Sequence, residues 1–207
     1  MLTLANKDQP EIPGYSYGSP GVAKSPISLD QLTELKVSAR FTEEDERYLR
    51  LAGEVLKDQT EQIVHLWRNQ IIASIPSLAR HSRSPEGEAL PDYLERSNAR
   101  FGQWILDTCL RPWDQDWIDY QREIALRHTS LKKNEVDDVR SSPYVPLHDV
   151  IAFTGVMNET LRPYLAAKGH SADEVGKMHT AWCKAIQIQM ALWIGPYADG
   201  RREPLEW

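Results

Sequence analysis

A histidine on an apolar helix face is the residue of this sequence with the clearest capacity for chemistry. Residues 113–133 (WDQDWIDYQREIALRHTSLKK) predict one long helix, because a stripe of residues recurs there at spacings of three and four. The stripe consists of Trp117, Tyr120, Ile124, His128 and Leu131. These spacings place the side chains on one face of a helix. We therefore expect the imidazole of His128 to be buried or to face a cavity, where its neutral form is a common metal ligand.

The alternative for His128 is an ordinary core residue, and the other histidines are weaker candidates. A buried histidine more often satisfies its ring nitrogens with a carbonyl or a carboxylate than with a metal. Four histidines lie on polar faces or beside turns and are expected to be exposed to solvent: His65, His81, His148 and His170. His179 lies at helical spacing between Val175 and Trp182, so it is the rival of His128 as a ligand.

Motifs that would indicate several other metal or nucleotide sites are missing from the sequence. There is no HExxH, CxxC or paired Glu-x-x-His pattern, so a zinc or di-iron site is poorly supported. There is no phosphate-binding loop or dinucleotide fingerprint either. A single axial histidine is compatible with haem, because the porphyrin supplies the other four ligands of the iron.

Composition and charge limit the class of protein. The 207 residues are 41% hydrophobic and 26% charged, which is typical of one globular domain rather than of a disordered chain. The net charge of −6 and the lack of a basic block argue against nucleic acid or a membrane as a partner. No run approaches the ~20 apolar residues of a membrane-spanning helix, and no signal peptide follows Met1. Two cysteines, Cys109 and Cys183, form no disulfide framework, so a cytoplasmic location is expected.

Helical periodicity and cap residues predict an all-α fold. Two-residue alternation, the pattern of strands, is absent from the sequence. The predicted helices cover residues 28–39, a segment from residue 42, and residues 59–75, 92–110, 114–133, 147–167 and 171–194. Ser28 is a predicted N-cap, while Thr42 with Asp45 and Ser171 with Glu174 have the spacing of a capping box.

Several segments of the sequence, in the same order, closely resemble the protoglobins, which are single-domain haem proteins related to the globin-coupled sensors. The segments are IPGYSYG (12–18), FTEEDERYL (41–49), AGEVLKDQ (52–59), YLERSNARFGQWILDTC (93–109), WIDYQREIALRH (117–128) and KGHSADEV (168–175). The resemblance extends from about residue 12 to residue 197. An ordered series of segments over nearly the whole chain is far more specific than one motif.

The resemblance implies a globin fold with an extra N-terminal helix and an N-terminal extension. We expect the extension over residues 1–27, the globin domain over residues 28–199 and a tail over residues 200–207. Prolines, glycines and serines in the extension agree with a segment that lacks regular structure. The resemblance also implies a haem that lies deep beneath the extension and the long loops and is reached by narrow tunnels.

The resemblance further implies which residues hold the haem, a b-type iron protoporphyrin. The histidine of the LRH segment is the proximal ligand in protoglobins, which makes His128 the expected ligand of the iron. Trp67 and Phe101 match distal aromatic residues that partly block access to the iron, and Phe153 and Met157 match positions on a flanking helix. The expected haem-binding residues are Trp67, Arg68, Ser97, Arg100, Phe101, Tyr120, Ile124, His128, Phe153 and Met157. From the pattern alone, the apolar residues of this set also suit an ordinary core.

Diatomic gases and a second copy of the chain are the partners that the resemblance implies. Protoglobins form homodimers through their last two long helices. The last predicted helix has apolar residues on more than one face: Trp182, Ile186, Ile188, Met190, Leu192 and Trp193. A second apolar face suggests a partner surface, unless this helix is central and covered on all sides by its own chain.

The sequence departs from the protoglobin pattern on the distal side of the expected haem. Arg68 stands where the family usually has tyrosine, and Ser97 stands where an apolar residue is expected. Residues 80–82 replace an aromatic-rich stretch, and residues 154–156 replace a bulkier, proline-containing one. Thr129 follows His128 where a second histidine is common. A more polar and less filled distal side is therefore expected. We expect Arg68 to point to solvent, since burying an unpaired guanidinium is costly; the alternatives are a carboxylate partner, a haem propionate or an anionic ligand.

Four functions are compatible with these observations. The first is a haem protein that reversibly binds O2, CO or NO. The second is a haem-dependent catalyst of peroxide, nitrite or NO chemistry, with Arg68 or Ser97 steering a bound oxygen atom. The third is a gas sensor that acts through a separate partner. The fourth is a helical interaction domain without a cofactor.

Overall fold

The computed structural model describes residues 11–199, which fold as a set of packed helices. The α-helices are α1 (Leu29–Ser38), α2 (Glu43–Leu56), α3 (Thr60–Val64), α4 (Pro76–Ala79), α5 (Pro91–Leu110), α6 (Gln115–Leu126), α7 (Leu147–Ala166) and α8 (Ala172–Asp199). No strand occurs within residues 11–199, so the predicted all-α class is confirmed. The expected tail and the first ten residues of the expected extension lie outside the described residues.

The predicted helix starts are confirmed by their caps. The Ser28 hydroxyl accepts the backbone N–H of Gln31 at 3.2 Å before α1. Before α2, the Asp45 carboxylate accepts the backbone N–H of Thr42 at 2.8 Å, and the Thr42 hydroxyl accepts that of Asp45. Ser171 and its partner three residues later form the same reciprocal pair before α8. These caps need only neighbours along the chain, which is why the sequence predicts them.

Helix α8 is the centre of the molecule. It packs against α2, α6 and α7. The residues from which a second apolar face was inferred are all buried within the chain itself: Trp182, Ile186, Ile188, Met190, Leu192 and Trp193. The alternative of a central, covered helix is therefore the correct one for these residues, and the dimer stays a prediction. No helix between residues 11 and 199 is long and apolar enough to span a bilayer.

Helix α3 is short, because the chain changes to π-helical geometry at residue 65. The π-helical segment covers His65–Ile72, where the sequence predicted one regular amphipathic helix over residues 59–75. A π-helix closes its hydrogen bonds over five residues instead of four, so its turns are wider. Trp67 is fully buried in this segment, whereas Ile75, at the end of the predicted helix, is 37% exposed.

Helix α6 ends at Leu126, seven residues before the predicted end. The backbone N–H groups of His128 and Thr129 bond three residues back, to Ala125 and Leu126, in a tighter turn. The Thr129 hydroxyl also donates to the Leu126 carbonyl at 2.8 Å, and such side-chain bonds compete with helix continuation. Leu131 is 50% exposed, so the predicted stripe does not reach it. His128 therefore lies in the turn after α6.

The described part of the expected extension, residues 11–27, contains turns but no helix and is tied to the bundle. The Gly14 carbonyl accepts a hydrogen bond from Arg127 at 2.8 Å, and the Pro13 carbonyl accepts one from Arg100 at 2.7 Å. Gly14 has φ +74°, and a Cβ on it would lie 2.7 Å from Nη1 of Arg100. Glycine therefore allows the extension to lie directly on Arg100.

Candidate functional site

A cavity of about 230 Å³ opens between the helices beside His128. Its apolar walls include Phe101, Ile124, Phe153, Met157, Ile186 and Met190. Nine of the ten residues that the sequence assigned to haem line this one cavity: Arg68, Ser97, Arg100, Phe101, Tyr120, Ile124, His128, Phe153 and Met157. They come from the three helices α5, α6 and α7, the π-helical segment and the turn after α6.

Trp67, the tenth residue, lies one layer behind the cavity wall. Its side chain is fully buried, and its ring centroid lies 5.4 Å from that of Phe101. The indole Nε1 donates to Oγ1 of Thr160 on α7 at 2.8 Å. Trp67 therefore supports Phe101, which lines the cavity.

The His128 ring is held in one tautomer. Its Nδ1 lies 2.8 Å from the Ile124 carbonyl oxygen, and a carbonyl can only accept, so Nδ1 carries the hydrogen. The Nε2 atom then holds a lone pair, and none of the residues in the range 11–199 hydrogen-bonds to it. The ring packs against Trp193 of α8, with 5.2 Å between centroids. A carbonyl on one nitrogen is the usual way in which a protein orients a histidine that binds a metal through the other.

Burial keeps the His128 imidazole neutral. The pKa of His128 is lowered to about 4, mainly by burial and also by the positive charges of Lys133 and Arg68, while the hydrogen bond to Ile124 opposes the shift. A neutral imidazole is the form that binds a metal. The ring nitrogen that faces the cavity is thus a competent ligand at neutral pH.

Arg68 also faces the cavity, so the expectation that it points to solvent is wrong. Its guanidinium donates to the Ser82 hydroxyl at 3.1 Å and to the Ser97 hydroxyl at 2.5 Å. Its central carbon lies 5.6 Å from the Phe101 ring centroid. Burial lowers the pKa of Arg68, and the Nε atom has no hydrogen-bond partner. The wide turns of the π-helical segment place Arg68 beside Trp67 on the inner side, which the sequence pattern did not indicate.

The other two arginines of the cavity wall are neutralised by carboxylates. Arg100 forms two hydrogen bonds with the Asp137 carboxylate, at 2.5 and 3.1 Å. Arg127 pairs with Glu123 at 3.0 Å. Their charges are therefore compensated within the chain, and both also hold the extension in place.

Lys133 is a second buried cation of the cavity that the sequence analysis missed. It is 7% exposed, and its Nζ donates to the His81 carbonyl, the Ser141 hydroxyl and the Tyr93 hydroxyl. None of these acceptors is charged. No pattern in the sequence indicated that Lys133 is buried, because a lysine in a polar segment is normally exposed to solvent.

The positions of two other histidines differ with respect to the cavity. His81 is 7% exposed and lines the cavity, so its predicted solvent exposure is wrong. Its Nε2 lies 3.3 Å from the Asp149 carboxylate and its Nδ1 3.2 Å from the Ser142 hydroxyl, which together explain how a polar turn is buried. His179, the rival ligand, does not line the cavity, and its Nε2 donates to the Asn158 carbonyl at 2.7 Å.

The residues around the cavity fit a haem. A neutral imidazole offers one nitrogen lone pair, and apolar side chains from four helices form walls for a flat apolar ring. One buried cation, Lys133, lacks a carboxylate partner among residues 11–199, and a haem carries carboxylates. The donor set thus agrees with an iron porphyrin held through His128.

Comparison with known proteins defines first the class and then the family. The fold is that of a globin: the chain is similar to the globin domain of the Geobacter sulfurreducens globin-coupled sensor, with a TM-score of 0.59. The two are 17% identical, and the match covers 83% of this chain and 97% of that domain. A protoglobin family model matches residues 28–203, so the chain belongs to the protoglobin family. The comparison with curated proteins found no match. The globin fold and the family that the sequence indicated are confirmed.

Proposed function

We propose that this protoglobin binds b-type haem through Nε2 of His128 and reversibly binds O2, CO or NO at the iron. The observation that carries the proposal is the bond from Nδ1 of His128 to the Ile124 carbonyl, which leaves Nε2 free toward the cavity. Family membership supports the haem, and the apolar walls of the cavity support its enclosure. The haem would supply the iron and its four equatorial ligands.

The residues that surround the cavity have different roles in this proposal. His128 holds the iron, and Trp193 fixes the plane of the imidazole by packing against it. Phe101, Phe153 and Met157 exclude water and limit the room for a ligand. Arg100 and Tyr120 stand among the remaining wall residues that we expect to contact the haem. Trp67 acts through Phe101.

Haem content and the ferrous-CO spectrum test the proposal. Purified protein is expected to show a Soret band near ~400 nm. The His128→Ala variant should lose most of its haem or change its ferrous-CO spectrum, since no other histidine ligates the iron. The matched control His179→Ala should retain both, because that side chain bonds to Asn158 outside the cavity. Unchanged haem stoichiometry and spectrum in His128→Ala would rule out His128 as the ligand.

Haem-dependent catalysis is the second candidate, and the position of Arg68 favours it. A buried guanidinium beside the ligand space can orient a bound oxygen atom and stabilise developing negative charge. Steady-state turnover with peroxide, nitrite or NO would distinguish a catalyst from a carrier. Turnover that collapses in Arg68→Ala while haem content is retained would favour the catalyst.

We also propose that the protein forms a homodimer through α7 and α8, and that it is located in the cytoplasm. Ile151 on α7 and Ile194 on α8 are 46% and 50% exposed, and large apolar side chains on the surface suit a partner face. Cys109 and Cys183 are both free thiols, which suits a reducing compartment. Light scattering at micromolar concentration tests the dimer: a mass near the 23.7 kDa monomer would exclude it.

A further inference from the structure

We propose that Arg68, Ser82 and Ser97 form a binding site for a small monovalent anion within the cavity. The inference rests on the proposed function and specifies its ligand class: charged ligands such as nitrite or azide would be held in preference to neutral ones. We name these three residues the anion subsite.

The charge of Arg68 is the first reason. The residue is half-buried and its Nε atom is fully buried, yet its two hydrogen-bond partners are neutral hydroxyls and no carboxylate pairs with it among residues 11–199. Hydroxyl groups accept N–H donors but do not neutralise a cation. A buried cation without a counter-charge is strongly disfavoured, so an anion that enters the cavity gains more from this site than a neutral ligand does.

The hydrogen-bond donors are the second reason. The Nε atom of Arg68 is buried and has no partner. Ser82 and Ser97 each accept a bond from Arg68, so each hydroxyl keeps its own hydrogen, and neither donates it to another of the described residues. All three side chains line the cavity. The subsite thus offers one positive charge and up to three unused donors, which matches a small anion with several acceptor atoms.

The other cations of the cavity lack this combination. Arg100 and Arg127 are neutralised by Asp137 and Glu123. Lys133 has no carboxylate partner, but its three hydrogens already have three acceptors. Only Arg68, among the described residues that line the cavity, combines an uncompensated charge with a free donor.

A carboxylate of the haem is a second possible source of negative charge, and the two sources predict different results. If Arg68 held that carboxylate, its loss would weaken haem retention and leave the affinity for added anions nearly unchanged. If Arg68 belongs to the anion subsite, its loss would weaken anion binding and leave haem retention nearly unchanged.

The experiment compares anion and neutral ligands in three proteins: wild type, Arg68→Leu and Arg68→Lys. Ferric protein is titrated with sodium nitrite and with sodium azide at constant ionic strength, and the dissociation constants are read from the Soret band. Ferrous protein is titrated with CO as the neutral ligand. Haem loss to an acceptor protein is measured in parallel.

The anion subsite predicts that Arg68→Leu weakens nitrite and azide binding at least tenfold, as expected for a lost charge-assisted hydrogen bond. CO affinity should change much less, and Arg68→Lys should recover part of the anion affinity because it keeps the charge. Ser97→Ala, which keeps the guanidinium, should weaken anion binding to a smaller extent. Anion and CO affinities that change together, or faster haem loss with unchanged anion affinity, would overturn the proposal.

Haem-free full-length chain separates the failure of this inference from the failure of the proposed function. If wild type takes up no haem, the proposed function fails, and the subsite is judged by thermal unfolding with sodium nitrite against sodium sulfate, whose anion is divalent, at equal ionic strength. A rise of Tm in wild type that is absent in Arg68→Leu would support the anion subsite. Equal shifts in the two proteins would reject it.

Discussion

The Phe101 ring rests on the Trp67 indole, with 5.4 Å between centroids, and of the two only Phe101 borders the cavity. Trp67 is itself anchored to Thr160 of α7 by its Nε1. Phe101 therefore determines how much room a ligand has, while Trp67 determines how firmly Phe101 is held. The two aromatic residues should respond differently to substitution.

Phe101→Ala should accelerate CO association markedly, because it removes the side chain that fills the ligand space. Trp67→Phe should leave the CO rate nearly unchanged, since an aromatic ring still supports Phe101. The same variant should lower the free energy of unfolding by about 1 kcal/mol through the lost bond to Thr160. Flash photolysis and urea denaturation measure the two effects. Equal changes in the CO association rate of Phe101→Ala and Trp67→Phe would contradict the arrangement in which Phe101 lines the cavity and Trp67 supports it from behind.

Arg68→Ala should raise the O2 dissociation rate by about tenfold or more, because the inward guanidinium can donate a charge-assisted hydrogen bond to bound O2. Arg83→Ala is the matched control: it removes the same charge from an exposed residue that bonds to the Gly87 carbonyl. Stopped-flow measurements on the two variants are compared with wild type. A similar, small change in both would show that Arg68 does not act on the ligand.

Gly14→Ala should loosen the extension from the cavity wall. Gly14 and Gly18 both have positive φ, so alanine brings comparable backbone strain at either position. A Cβ on Gly14 would meet Val136 and Arg100 within 3 Å, whereas one on Gly18 meets nothing within 4 Å. Haem loss should therefore be faster, and Tm lower, in Gly14→Ala than in Gly18→Ala. Indistinguishable variants would mean that the close packing at Gly14 does not retain the haem.

The ion pair between Asp45 and Lys184 should make stability depend on acid pH. Burial alone would raise the pKa of Asp45, but hydrogen bonds from Lys184 and Thr42 lower it below its usual value. A carboxyl group with a lower pKa in the folded state stabilises the fold above the unfolded pKa of ~3.9. This contribution is lost as the pH falls through the folded-state value.

Asp45→Asn tests that dependence. At pH 7 the variant should unfold with a free energy lower by about 1–2 kcal/mol, since it loses the ion pair with Lys184 and a negative charge in the first turn of α2. The difference from wild type should shrink as the pH falls below ~3.9. Asp58→Asn, on an exposed pair with Lys168, should have a smaller effect at neutral pH. The free energies of unfolding are measured by urea denaturation from pH 7 to below ~3.9. A difference between Asp45→Asn and wild type that stays constant over this range would contradict the lowered pKa of Asp45.

Local signals in the sequence predicted the fold well. The caps at Ser28, Thr42 and Ser171 depend on residues three positions away, and all three are present. The end of α6 was misplaced because periodicity continues past Leu126, while the Thr129 hydroxyl competes with the next turn. The spacing of hydrophobic residues carries no information about this competing hydrogen bond.

Site residues could be predicted where residue type and spacing determine their position. They were harder to predict where tertiary packing determines it. The position of His128 beside a cavity followed from its apolar neighbours, even though the helix ends before it. The inward position of Arg68 depends on a π-helical backbone and on two serines distant in sequence. His81 and Lys133 are buried by each other's segments, so neither could be recognised from its own surroundings.

Because His65–Ile72 is π-helical, the number of residues in this segment, as well as their type, determines which side chains line the cavity. Arg68 and Ile72 both reach the cavity from this stretch, with the exposed Asn69 between them. Deleting Asn69 would let the segment return to the ordinary α-helical repeat. The residues before and after the deletion would then be rotated relative to each other about the helix axis. A one-residue deletion is thus a route by which evolution could exchange a charged pocket for an apolar one without substituting any residue of the wall.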